Sequence, residues 1–110
     1  MRKNFEVIKG DTLAFGVELE FTEKSQDLEK AYLTVKTNPD DLVIFQKSLG
    51  NGISKVGELG NKLYYRVRAD PKDTEKLREG IYYYDLEIRA NSDVFTVLKG
   101  LFIVENDISN

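Results

Sequence analysis

Leu13, Phe15, Val17, Leu19 and Phe21 fall at every second position, with Ala14, Gly16, Glu18 and Glu20 between them. A strand places successive side chains on opposite faces, so this spacing builds one apolar face and one wet face. The same period returns in LYYRVRA, where Leu63, Tyr65, Val67 and Ala69 oppose Tyr64, Arg66 and Arg68. It returns again in IYYYDLEIRA, where Tyr82, Tyr84, Leu86, Ile88 and Ala90 oppose Ile81, Tyr83, Asp85, Glu87 and Arg89. Such a chain must pair its strands and bury one face of the resulting sheet.

The remaining segments fit the same architecture. Phe5 and Val7 share a face of an opening strand, Lys9-Gly10-Asp11 supplies a turn, and the first two strands are expected to pair. In the polar stretch TEKSQDLEK, Leu28 is an inward plug. AYLTVKTN and LVIFQKSL form a hairpin about Asn38-Pro39-Asp40-Asp41, since proline is poorly tolerated inside a central strand. GNGISKVGELGNK holds four of the eight glycines within 13 residues and is read as a long flexible loop or a pair of irregular turns. DPKDTEKLREG predicts a helix over 71–79, with Asp70 as cap, Pro71 at the first helical position and Gly80 beyond its end. After a compact break at Asn91-Ser92-Asp93, VFTVLKGLFIVEN is the closing strand, with Gly100 marking a bulge or a close backbone approach. At 110 residues the chain is a single domain over 1–110. Its predicted class is all-β: an immunoglobulin-like antiparallel β-sandwich of seven to eight strands with one short helix, an open barrel being the alternative.

Chemistry is thin. Neither histidine nor cysteine occurs, which removes the usual general base near neutral pH, the common triads, most zinc sites and any disulfide. No catalytic residue, metal ligand or cofactor site is assigned, and the expected cofactor set is none. Glu18 with Glu87, or Asp85 with Asp93, could be imagined as a glycosidase pair, but carboxylates alternating on a strand are the normal wet face. Asp40, Asp41, Glu105 and Asp107 show no calcium-loop order. Sixteen basic against nineteen acidic residues, with no long block of either, argue against nucleic-acid binding. Lys62, Arg66, Arg68 and Arg89 with Tyr64 would form a small basic strip if their strands were adjacent, cross-strand ion pairing being the plainer account. No apolar run reaches the roughly 18 residues of a membrane span, and MRKNFEVIKGD lacks a signal-peptide core. A product made in the cytoplasm without a membrane partner is expected.

The three consecutive tyrosines cannot share a face: Tyr82 and Tyr84 are assigned to the core and Tyr83 to the outside. Tyr64 and Tyr83 are either interface residues or an ordinary exposed cross-strand feature. The last strand, Val94 to Glu105, is apolar on both sides, which suits a covered sheet edge or a subunit contact. Interface candidates are therefore Tyr64, Tyr83, Phe95, Val97, Phe102 and Val104.

FEVIKGDTLAFGVELEF and EGIYYYDLEIRANSDVFTVLKGLFIVENDIS together resemble the small β-sandwich modules of phage and prophage tail and baseplate proteins, including the N-terminal module of upper baseplate proteins. The resemblance covers the first 21 residues and roughly the last 31. It rests on Gly10 and Asp11 at the first turn, Gly80 to Asp85 at the entry of the penultimate strand, and Gly100 with Val104 to Ser109 at the close. It implies a non-catalytic virion structural protein, made in the host cytoplasm, that docks other tail or baseplate subunits and forms homo-oligomers. The chain stops soon after the sandwich, without the long helical linker or receptor-binding portion of the large baseplate proteins. A carbohydrate-binding β-sandwich module is the alternative, with Tyr64 and Tyr83 as its aromatic platform.

Overall fold

The computed structural model describes residues 2–21, 28–38, 43–75, 77–90 and 93–106. In chain order they form β1 (Phe5–Ile8), β2 (Leu13–Glu20), β3 (Lys30–Lys36), β4 (Val43–Leu49), β5 (Gly52–Leu59), β6 (Lys62–Ala69), α1 (Pro71–Glu75), β7 (Gly80–Ala90) and β8 (Asp93–Glu105). The eight strands hydrogen-bond in the order β1-β8-β7-β3-β4-β5-β6-β2. All pairings are antiparallel except β1 with β8 and a short contact between β4 and β5.

β1 and β2 do not form the expected hairpin, for they stand at opposite ends of the sheet. Their faces nevertheless meet: the Phe5 and Phe15 rings stack at 4.6 Å. The sheet thus curls into a near-barrel, and the turn between β1 and β2 carries the chain from one layer to the other. Thr74 fixes that crossing. Fully buried in α1, its hydroxyl accepts from the Gly10 amide at 3.1 Å and donates to the Asp11 carbonyl at 2.7 Å. Gly10 itself holds a φ of 87°, which a residue with a Cβ adopts only at a cost.

The segment read as a glycine-rich loop contains β5, paired with β6. Its residues are mostly exposed and only Ile53 reaches the core, so no apolar alternation announced it. The glycines shape the sharp bend from β4 into β5. A Cβ on Gly52, whose φ is 99°, would lie 2.8 Å from both the Arg68 carbonyl oxygen and Lys47 Cδ. That space admits the Lys47 side chain, whose ammonium meets Asp73 on α1 at 2.6 Å in a nearly dry contact.

α1 is shorter than the 71–79 reading. The helix begins after Asp70 as expected, but the capping carboxylate is that of Asp73, whose Oδ2 accepts from the Asp70 amide at 2.8 Å, while Asp70 Oδ1 accepts from Arg68 Nε. Leu77 then turns inward to 2% exposure, its amide bonded to the Thr74 carbonyl at 3.1 Å, and this draws the backbone off the helical path. Four residues before β7's inward Tyr82, the Arg78 carbonyl accepts the Tyr82 hydroxyl at 2.8 Å. A tyrosine near the start of the penultimate strand, bonded back to the preceding corner, is the tyrosine corner of immunoglobulin-type sandwiches. In antibody domains the residue two places on is a cysteine. Here it is Tyr84, which packs its ring 5.2 Å from Phe5 and donates its hydroxyl to the Lys3 carbonyl at 2.5 Å. Aromatic packing occupies the position that a disulfide holds elsewhere.

The core gathers around Phe102, Leu33, Ile53 and Leu63, each 2% exposed or less, with Leu28 closing it from the connection before β3. The β3–β4 hairpin is present, although its turn at 39–41 lies outside the described residues, as do 91 and 92 of the last hairpin. On β8 the irregularity sits at Val97, where the register shifts between the pairs Leu86–Leu98 and Glu87–Thr96. Gly100 is instead the close approach: a Cβ there would stand only 2.2 Å from the Lys3 carbonyl oxygen.

Candidate functional site

Phe102 and Val104, expected at an interface, are 1% exposed and belong to the core of the single chain. The two-sided apolarity of β8 has a different origin. Gly100, Phe102 and Val104 face inward, while the half-buried Leu101 and Ile103 face outward beside Tyr83 and Ile81, their register partners on β7. Val97 is partly buried against the core, and Phe95 is half exposed at the start of the strand.

Tyr83 is 39% exposed, whereas Tyr82 and Tyr84 point into the core, as the alternation requires. Tyr64 is half-buried and outward on β6, whose neighbours are β5 and β2. The two tyrosines therefore stand on different layers and cannot form one platform. The Tyr64 hydroxyl donates to the Glu18 carboxylate, which, with slight burial and the charge of Glu18, raises the phenol above its ordinary value. The suggested basic strip is likewise divided, since Arg89 lies on β7. Three of its four cations carry carboxylate partners at the surface: Lys62 with Glu18 at 3.6 Å, Arg68 with Asp70 at 2.9 Å and Arg89 with Glu87 at 3.6 Å.

Around Tyr83 the outer face of β3, β7 and β8 is concave, enclosing about 500 Å³. Two rungs of the sheet form its floor. One runs Thr34–Asp85–Lys99 across β3, β7 and β8, and the next sets Lys36 beside Tyr83. Arg2 enters from the far side, where the N-terminal stretch bridges to Lys99. Thr34 Oγ1 accepts from Gln46 Nε2 at 2.9 Å, so its own proton remains to be donated. Burial between its neighbours raises the Asp85 carboxyl above the usual range, Glu87 adds to this, and Lys36 opposes it. The concavity thus offers an outward tyrosine, two threonines, a carboxylate and three cations. Sequence reading found Tyr83 by parity and placed Asp85 on the same face, weighing it only as a pair with Asp93, but missed Thr34, Lys36, Lys99 and Arg2, because only strand order brings them together.

Among the described residues no group of three or more acidic side chains is placed to hold a metal ion. The carboxylate pairs considered from the sequence do not converge: Glu18 is on β2 and Glu87 on β7, in different layers, while Asp85 and Asp93 pair at distant points of the β7–β8 ladder. No helix among these residues is long and apolar enough to cross a membrane.

Sheet order, corner tyrosine and helix define an all-β, mostly antiparallel immunoglobulin-like sandwich. No family model and no curated protein sequence matches the chain. Among solved structures it is similar in fold to part of a family 123 glycoside hydrolase from Clostridium perfringens, described for glycolipid glycan hydrolysis, with a TM-score of 0.58 and 11% identity. That match covers 99% of this chain and 24% of the hydrolase. Weaker likenesses link it to the extracellular domain of the voltage-gated sodium channel beta4 subunit (TM-score 0.46, 11% identity, 97% of this chain and 93% of that one). The ZIG-8–RIG-5 IG1–IG1 heterodimer gives a TM-score of 0.39 at 12% identity, over 96% of this chain and 83% of that one.

Proposed function

We propose that the chain is a non-catalytic carbohydrate-recognition module that binds at the concavity on β3, β7 and β8. One observation carries this reading: Tyr83, an outward tyrosine, stands in the wall of a concave site floored by hydrogen-bonding groups. Sugars present apolar C–H faces edged with hydroxyls, and a tyrosine ring beside Thr34 and Asp85 complements both. The volume of about 500 Å³ lies within the usual range for small-ligand sites. The glycoside hydrolase likeness contributes the fold, not an activity. Binding of an oligosaccharide panel, followed by isothermal calorimetry, tests the reading. Tyr83→Ala should abolish binding while Tyr64→Ala leaves it intact; equal affinity in both variants would refute it.

A second reading, a structural subunit of a phage or prophage tail or baseplate, is favoured by a separate feature. β2 ends the sheet and pairs only with β6 among the described residues, and Val94 and Phe95 stand about half exposed at the start of β8. An unpaired strand flank is a template for another chain. On this reading, together with the resemblance of both chain ends to tail modules, the protein is made in a host cytoplasm, enters the virion, and contacts copies of itself or other tail subunits. Light scattering after size exclusion over a tenfold concentration range checks it. A stable multimer supports self-assembly, and a strict monomer removes it.

A further inference from the structure

We infer that the concavity selects acidic saccharides, with Arg2, Lys36 and Lys99 taking a sugar carboxylate. The inference rests on the carbohydrate-recognition reading and adds the charge of the ligand to it. The whole chain carries a net charge of -3. The lining of this one concavity runs the other way, since Arg2, Lys36 and Lys99 against Asp85 give 3 − 1 = +2.

The three cations come from three separate segments: the stretch before β1, the end of β3 and the middle of β8. Five of the other cations, Lys47, Lys55, Lys62, Arg68 and Arg89, are matched with carboxylates. None of the three around the concavity has an ion-pair partner among the described residues, although Asp85 sits in the same rung as Lys99. Arg2 and Lys99 are exposed and Lys36 is half-buried, around a recess from which a bound ligand would exclude water. Ionised donors make the stronger hydrogen bonds to carboxylates, and arginine can engage both oxygens at once. Asp85 and Thr34 would take the neighbouring hydroxyls, because a carboxylate accepts and the free proton of Thr34 donates. A neutral sugar would leave three cations to be stripped of water without compensation, which is the basis of discrimination.

The test pairs acidic oligosaccharides with neutral counterparts, trigalacturonate with its methyl ester and sialyllactose with lactose, read by calorimetry and by amide shifts in NMR. The acidic member is expected to bind about tenfold more tightly, the scale of one charged hydrogen bond. Lys36→Gln and Lys99→Gln should each erase most of that preference while leaving the amide spectrum folded, and raising salt should weaken it further. Equal affinity for the acidic and neutral members would overturn the selection of acids but leave recognition at Tyr83 standing. No binding by either member to the folded protein would overturn both.

Discussion

Replacing Gly100 with alanine adds one carbon to a backbone that any residue can adopt, so its effect is purely steric. The new Cβ would stand 2.2 Å from the Lys3 carbonyl oxygen, 2.8 Å from its carbon and 2.9 Å from Asn4 Oδ1. Two of these are backbone atoms and cannot rotate away. The segment before β1 must lift off β8, and three hydrogen bonds go with it. These are the Lys3 amide to the Lys99 carbonyl at 2.9 Å, the Tyr84 hydroxyl to the Lys3 carbonyl at 2.5 Å, and the Leu101 amide to Asn4 Oδ1 at 3.0 Å. At about 0.5–1.5 kcal/mol net for each, Gly100→Ala should cost about 2–4 kcal/mol. In a domain of this size that lowers Tm by about 10–20 °C. Urea denaturation gives the free energy and calorimetry the Tm. A chain lacking residues 1–4 has already lost the same bonds and the clash, so in that background the substitution should cost less than about 0.5 kcal/mol. A loss below that value in the full chain, or an equal loss in both backgrounds, would refute the steric account.

Lys47→Met leaves the Asp73 carboxylate without its ion pair in a nearly dry setting and should destabilise the fold by about 3 kcal/mol in urea titration, most of it recovered when Asp73→Asn is added. Burial pushes the Tyr84 phenol from 10.0 up to about 12. The folded chain then holds a proton that the unfolded chain releases, so the stability contributed is intact below pH 10 and lost as the pH rises to about 12. Tyr84→Phe should flatten the fall in urea midpoint across that window; an unchanged slope would show that Tyr84 does not control it. At the concavity, Tyr83→Ala should abolish oligosaccharide binding in calorimetry, and Lys36→Gln or Lys99→Gln should remove the preference for acidic members.

The strands with one buried face were legible, because β2, β6 and β7 carry the strict alternation that half-burial imposes. Tyr83 could be placed outside and Tyr82 and Tyr84 inside from parity alone. β5 was hidden because its contribution is backbone pairing, not a buried face. The turn after β1 resembled a hairpin, but its anchor is Thr74, 64 residues from Gly10 in sequence. The fate of Phe102 and Val104 was obscured by the bulge at Val97, which changes the phase of β8 partway along. The concavity depends on β3, β7 and β8 lying side by side, and nothing local in Thr34, Asp85 or Lys99 encodes that adjacency.

The strands nearest the two ends of the chain, β1 and β8, run side by side in the same direction, matched from Phe5–Phe102 to Ile8–Glu105. The chain therefore enters β1 and leaves β8 in opposite directions along the shared ladder. Tension applied across the ends would slide β1 along β8 and load every bond of that ladder together. An antiparallel pair pulled the same way would peel apart one rung at a time. The parallel seam is therefore a mechanical clamp, and its resistance to pulling would be set by the barrier to unfolding, not by equilibrium stability.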